Sequence, residues 1–264
     1  MKQARLILIA CFVVLQCTAA FGGSTQHQGP SKFSEEALSG FAKNVERFAA
    51  AHGAQVFLIS RLGQPKENLP KDVHYTHVAI AVYTETTTES EQRLRGYAIY
   101  NLYQDYNRRN RSTLVTDYPV DFFAGAQELK TTLIIPEQRL QAHLFNLIAT
   151  GQYRELHNPN YSLVSNPFNN AYQNCTEYVL DLLNAAIYSS IDKDQLKANT
   201  KAYFEPYKVR KSRFLAGLGS LFTDDYTTAD HRGDIQTATF TTLQNYLQTY
   251  NLIALVETLE WQDE

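Results

Sequence analysis

The stretch Thr76-His77-Val78-Ala79-Ile80-Ala81-Val82-Tyr83 decides the reading of this chain. It is apolar on both faces, which predicts a strand inside a sheet covered on each side. A second run of the same kind, Tyr97 to Tyr103, follows across the polar segment Thr84 to Arg95, and the two read as neighbouring central strands. Alternation puts His77 on one face with Ala79 and Ala81, small residues that leave room for a helix end to approach. In the second strand Tyr97, Ile99, Asn101 and Tyr103 share a face, so Asn101 is a lone polar side chain in an apolar strand.

Upstream, Leu38, Phe41, Val45 and Phe48 recur at helical spacing, with Ser34 as N-cap, Glu35 and Glu36 in the first turn and Gly53 as the stop. A short strand from Gln55 to Ser60 comes next, before Gly63, Pro65 and Pro70 break the chain. Downstream, Leu129 to Ile135 reads as a third long strand ended by Pro136. Leu140, Leu144, Leu147 and Ile148 then mark a helix stopped by Gly151. Tyr153 to Asn174 is dense in Asn, Pro and Tyr and predicts a structured loop. After it Tyr178, Val179, Leu182, Leu183, Ala186 and Ile187 form a helical stripe, placing Cys175 on the buried side of the first turn. Helices are expected over Lys193 to Tyr203, Lys211 to Phe222 and Thr242 to Tyr250, with a strand near Ile235 to Phe240. The fold class is α+β, a central antiparallel sheet packed by helices.

The N-terminus carries Lys2 and Arg5, an apolar run from Leu6 to Leu15 and small residues at Thr18, Ala19 and Ala20. That pattern predicts a secretory signal peptide over residues 1–22 and one domain over 23–264, exported to the periplasm of a Gram-negative cell. The apolar run falls short of the about 20 residues a bilayer needs, so no transmembrane anchor is expected after cleavage. A net charge of -3 and one short basic cluster at Arg108, Arg109 and Arg111 argue against a nucleic-acid partner. With 17 Tyr and 14 Phe against one Met and one Trp, the core is aromatic.

Of the three cysteines, Cys11 and Cys17 fall in the signal segment, so the mature chain keeps Cys175 alone in an oxidising compartment. Such a residue is a buried small hydrophobe, an intermolecular crosslink or a reactive thiol. A thiol at a helix N-terminus faces the positive end of the dipole and free N–H groups, which favour thiolate and can form an oxyanion hole. A nucleophilic cysteine also needs a base and a polar group that orients it. Among the seven histidines, the strand pattern selects His77 as that base and Asn101 as the orienting group. Both equally suit structural roles, Asn101 as a partner for backbone in the core. His74 and His77 lie an odd number apart on a strand and point to opposite faces, so they make no metal pair. His143, His157 and His231 are isolated and read as loop or surface histidines. No metal and no cofactor is expected.

The His77 strand, the Asn101 strand and the segment Tyr172-Gln173-Asn174-Cys175-Thr176-Glu177-Tyr178-Val179 together resemble the His strands and nucleophile helix of the NlpC/P60 papain-like superfamily. Histidine precedes cysteine, the order of its circularly permuted branch, which includes the lecithin-retinol-acyltransferase-like proteins. Over nearly the whole mature chain the sequence resembles the bacterial family DUF2145, through Tyr75-Thr76-His77, Asp121-Phe122-Phe123, Leu156 to Val164, Asn166-Pro167-Phe168-Asn169 and Tyr172-Gln173-Asn174. The resemblance implies a permuted papain-like fold and a thiol hydrolase or acyltransferase. Its substrate would be a cell-wall peptide or a lipid-linked acyl group, with Cys175 as nucleophile, His77 as base and then acid, and Asn101 orienting it. The competing expectation is a non-catalytic periplasmic binding or structural protein on the same fold, using the Asn- and Tyr-rich loop before Cys175 to line a groove.

Overall fold

The computed structural model describes residues 30–87, 93–209 and 227–262. The expected signal peptide and the helix expected from Lys211 to Phe222 lie outside them. In chain order the elements are α1 (Glu35–Ala51), β1 (Val56–Arg61), β2 (His77–Thr87), β3 (Arg93–Gln104), β4 (Ser112–Asp117), α2 (Pro119–Ala124) and β5 (Lys130–Pro136). Then come α3 (Gln138–Ala149), α4 (Cys175–Tyr188), α5 (Lys193–Tyr203), β6 (Tyr207–Val209), β7 (Ile235–Thr237), α6 (Phe240–Thr249) and β8 (Ile253–Glu260). Six strands form one antiparallel sheet in the order β4-β3-β2-β1-β5-β8, and β6 pairs with β7 beside it. Among the described residues no helix is long and apolar enough to cross a membrane.

The sheet separates two cores, and strand alternation assigns the residues to them. One face presents Ala79, Ala81, Ile99 and Leu133 to Phe41 and Val45 of α1 and to Phe122 and Phe123 of α2. The other presents Val78, Ile80, Val82 and Ile134 to α3, α4 and α6, with Leu144, Val179, Leu183 and Leu243 at its centre. Ser34 caps α1 by accepting from the Ala37 N–H, and Gly53 leaves it at a positive φ of 63°.

The reading of the sequence missed α2 and β6, and β2 and β3 run into the segment from Thr84 to Arg95 that it took as a polar connection; three further features depart from it. The strand at β4 lies where only a basic cluster drew attention, because its residues are half exposed and show no clean alternation. β8 is an edge strand of half-exposed residues, held by pairing with β5 rather than by an apolar pattern. β7 stops at Thr237, and Phe240 begins α6 under the Thr239 cap, where an apolar strand was expected to run on.

Candidate functional site

Cys175 is the first residue of α4. Asn174 caps the helix, its side-chain oxygen accepting from the Glu177 N–H, and it is fastened in turn by Ser165, Leu163 and Thr237. Gln173 ties the preceding loop down by accepting from the Asn158 N–H and donating to the Leu156 carbonyl and to Asp181. Phe240 stacks edge-on against Tyr75 at 5.1 Å, so the segment at the start of α6 packs against the flank of the site.

The helix end does not approach the Ala79 and Ala81 face, as alternation had suggested; α4 covers the opposite face, over Val78, Ile80 and Val82. The sulfur nevertheless reaches the sheet through an opening. β2 stays paired with β1 as far as Arg61 and His77, whereas its ladder with β3 ends at Ile80 and Tyr100. Val78, freed from β3, turns its backbone N–H on the Cys175 sulfur. The sulfur also lies 3.9 Å from the Thr76 carbonyl and 3.8 Å from the Thr176 hydroxyl. Both backbone contacts flank His77.

The thiol is 3 % exposed, and its pKa moves opposite to the direction expected from the helix end. Burial pushes it up, against the backbone of Val78, the side chain and backbone of Thr176 and the charge of Arg61. The magnitudes explain the outcome: a helix N-terminus is worth about 0.3–1 kcal/mol, less than one pKa unit. Full desolvation can move a group by roughly 3–5 units.

His77 is completely buried and its Nε2 lies 2.9 Å from Asn101 Oδ1. The Asn101 amide donates to the Ile99 carbonyl at 3.0 Å and towards the Asp117 carboxylate at 3.4 Å. Both partners only accept, so Asn101 Oδ1 must face the imidazole and Nε2 must carry the proton. The lone pair then sits on Nδ1, which is buried and has no hydrogen-bond partner among the described residues. The ring stacks on Tyr103 at 4.8 Å, and Tyr103 in turn donates to Asp117 at 2.6 Å. Arg61, opposite His77 on β1, donates to the Phe122 carbonyl and lies over the Tyr103 and Phe122 rings. Burial, and then the Arg61 guanidinium, hold His77 well below the ordinary imidazole value despite the Asn101 bond. His77 is therefore neutral at pH 7.

His77 and Asn101 are thus joined directly, and Cys175 meets the strand at the residues either side of His77. Arg61, Tyr103 and Asp117 escaped the sequence reading. The signal for two of them was present: Tyr103 shares the Asn101 face, and Arg61 follows directly on the strand read to Ser60. A second polar centre was missed altogether. Lys197 of α5 donates to Glu177 at 2.7 Å and to Asp181 at 2.8 and 3.0 Å, all three buried. Glu177 and Asp181 are four apart on α4, so they fall on one side of the helix.

The histidines read as isolated surface or loop residues all have partners: His143 bonds the Ala186 carbonyl, His157 the Ser112 hydroxyl, and His231, with its side chain buried, the Val164 carbonyl. Among the described residues no group of three His, Cys, Asp or Glu could hold a metal ion.

Residues 48–247 match a family described as "Uncharacterized protein conserved in bacteria (DUF2145)". No curated protein and no solved structure matches the chain significantly. The match spans most of the chain, including both core strands, the capped loop and the cysteine helix, and on that ground the protein belongs to the DUF2145 family of bacterial proteins.

Proposed function

We propose that this protein is a periplasmic thiol hydrolase or acyltransferase with a circularly permuted NlpC/P60-like arrangement, cleaving an amide or ester in a cell-wall peptide or a lipid-linked acyl group. The observation that carries the reading is the tautomer of His77. Asn101 accepts the Nε2 proton, so Nδ1 holds a buried lone pair beside a strand whose backbone touches the Cys175 sulfur. The sulfur makes no hydrogen bond with Nδ1 at rest, so in the reaction the Cys175 side chain turns towards His77, and Nδ1 takes the thiol proton as sulfur adds to the carbonyl carbon. The resulting imidazolium gives that proton to the leaving amine or alcohol as the thioester forms. Water or an acceptor alcohol then releases the acyl group by the reverse sequence. N–H groups of Val78 and Thr176, which hold the sulfur in the resting protein, are available to the oxyanion.

The burial of both Cys175 and His77 supports a second reading, a non-catalytic binding or structural protein on the same fold. An acyl-trapping experiment separates the two. Mature protein mixed with p-nitrophenyl acetate is expected to release one equivalent of nitrophenolate in a burst, with the acetyl group found by mass spectrometry on Cys175. His77→Gln should slow the burst by about 10²-fold or more, the usual contribution of a general base. A thiol that reacts only after unfolding, or equally with and without His77, refutes the enzyme reading.

A further inference from the structure

On the α4 side of the sheet a cavity of about 390 Å³ opens between β3, β4, the turn after α3 and α4. Its walls are Tyr100, Leu114, Val115, Tyr153 and Tyr178, with Arg154 and His157 as the basic groups, and no Asp or Glu lines it among the described residues. The volume falls in the range of small-molecule sites.

Arg154 carries the argument. Its guanidinium lies 4.5 Å above the Tyr153 ring, and no carboxylate among the described residues lies within ion-pair distance of it. Stacking on an aromatic face leaves the planar edge of donors turned outward, the geometry that takes a carboxylate through two parallel hydrogen bonds. The Tyr100 hydroxyl has no hydrogen-bond partner among the described residues, and its ring meets Tyr153 edge-on at 5.3 Å. Burial, and then the charge of Lys193, hold His157 below the ordinary imidazole value. The cavity therefore presents one permanent positive charge, which matches a monoanion. Phosphate in its dianionic form would leave a charge unmatched.

We infer that this cavity binds a carboxylate carried on an aromatic or apolar body, with Arg154 holding the carboxylate and Tyr100, Leu114 and Tyr153 the body. The site shares Asn101 with the His77 pair, and Tyr178 stands one turn along α4 from Cys175, while the thiol itself does not line the cavity. The binding claim does not depend on the thiol chemistry.

The test titrates the mature protein with phenylacetate by amide chemical-shift perturbation, with phenylacetamide as the neutral control and inorganic phosphate as competitor. Phenylacetate should shift resonances of Tyr100, Leu114 and Tyr153 and bind at least about tenfold more tightly than phenylacetamide, the least that one charge-assisted contact gives. Arg154→Gln, a change at an exposed residue, should remove that preference while leaving the thermal midpoint in place. Cys175→Ser should bind as the wild type does, which keeps failure of this site distinct from failure of the proposed enzyme. Equal binding of acid and amide, or binding indifferent to Arg154, overturns the proposal. Displacement by phosphate at equal concentration overturns the choice of carboxylate.

Discussion

Replacing Lys197 by Met gives the most quantitative test of the structure. Among the described residues Lys197 is the only cation in contact with Glu177 and Asp181, and all three side chains are buried. One cation against two carboxylates leaves a net negative charge unless a proton is added. Burial, with the Asp181 charge beside it, pushes Glu177 up to about 8 against the pull of Lys197, so at pH 7 the cluster is neutral with Glu177 protonated. The folded value lies above the unfolded one. The contribution of Glu177 is therefore fully present below the unfolded carboxyl range and is lost at about 1.4 kcal/mol per pH unit as pH rises towards 8.

Methionine fills the space of the lysine stem and leaves Asp181 without its cation, so a second proton must be held in the folded state. The slope should then double, to about 2.8 kcal/mol per unit. Between pH 5 and pH 8 the variant should lose roughly 4 kcal/mol more than the wild type, or roughly 8–16 °C in thermal midpoint for a chain of this size. At pH 5 the two proteins should differ little, since the lost ion pair is offset by the relief of burying an amine. Circular dichroism melts at the two pH values, checked by urea unfolding at 25 °C, provide the measurement. Equal losses at both pH values would refute a buried, proton-sharing cluster.

His77 gives the opposite sign. Its folded pKa is depressed, so its contribution is present above the unfolded value of 6.5 and is lost as pH falls below it. His77→Gln should remove a wild-type stability loss of up to about 1.4 kcal/mol per pH unit below pH 6.5, and parallel melts of the two proteins would sink the assignment. Gly40 of α1 admits no side chain, because a Cβ there would lie 2.5 Å from the Trp261 ring. Gly40→Ala should therefore cost roughly 1–3 kcal/mol of overpacking, less about 1 kcal/mol of helix propensity, and red-shift the emission of the only tryptophan. An unchanged emission maximum and melt would show that the residues after β8 do not pack on α1.

Periodicity reported most of the elements well. The helical stripes of α1, α3 and α4 and the two-sided apolar strands β2 and β3 are read from spacing alone, because burial of one stripe or two faces imposes it. β4 and β8 were invisible for the complementary reason: they are edge strands, and an edge strand with half-exposed residues is specified by its partner's hydrogen bonds rather than by its own side chains. The pairing of His77 with Asn101 could be read from two alternations and their neighbouring order. The position of the cysteine could not, since a face assignment from small residues ignores what else competes for that face. Phe41, Phe122 and Phe123 occupy it.

By itself the sequence determined the local structure: which segments are helix or core strand, that Cys175 lies in the first turn of a helix, and that His77 and Asn101 share a sheet. Only the tertiary structure decided their chemistry. The fraying of β2 from β3 beyond Ile80 lets the sulfur reach the strand from the far face, the Asp117 and Ile99 acceptors set the His77 tautomer, and burial raises the thiol pKa against the pull of the helix end. The reason is physical: periodicity and caps act over a few residues, whereas solvation and proton position depend on groups that only the folded chain brings together.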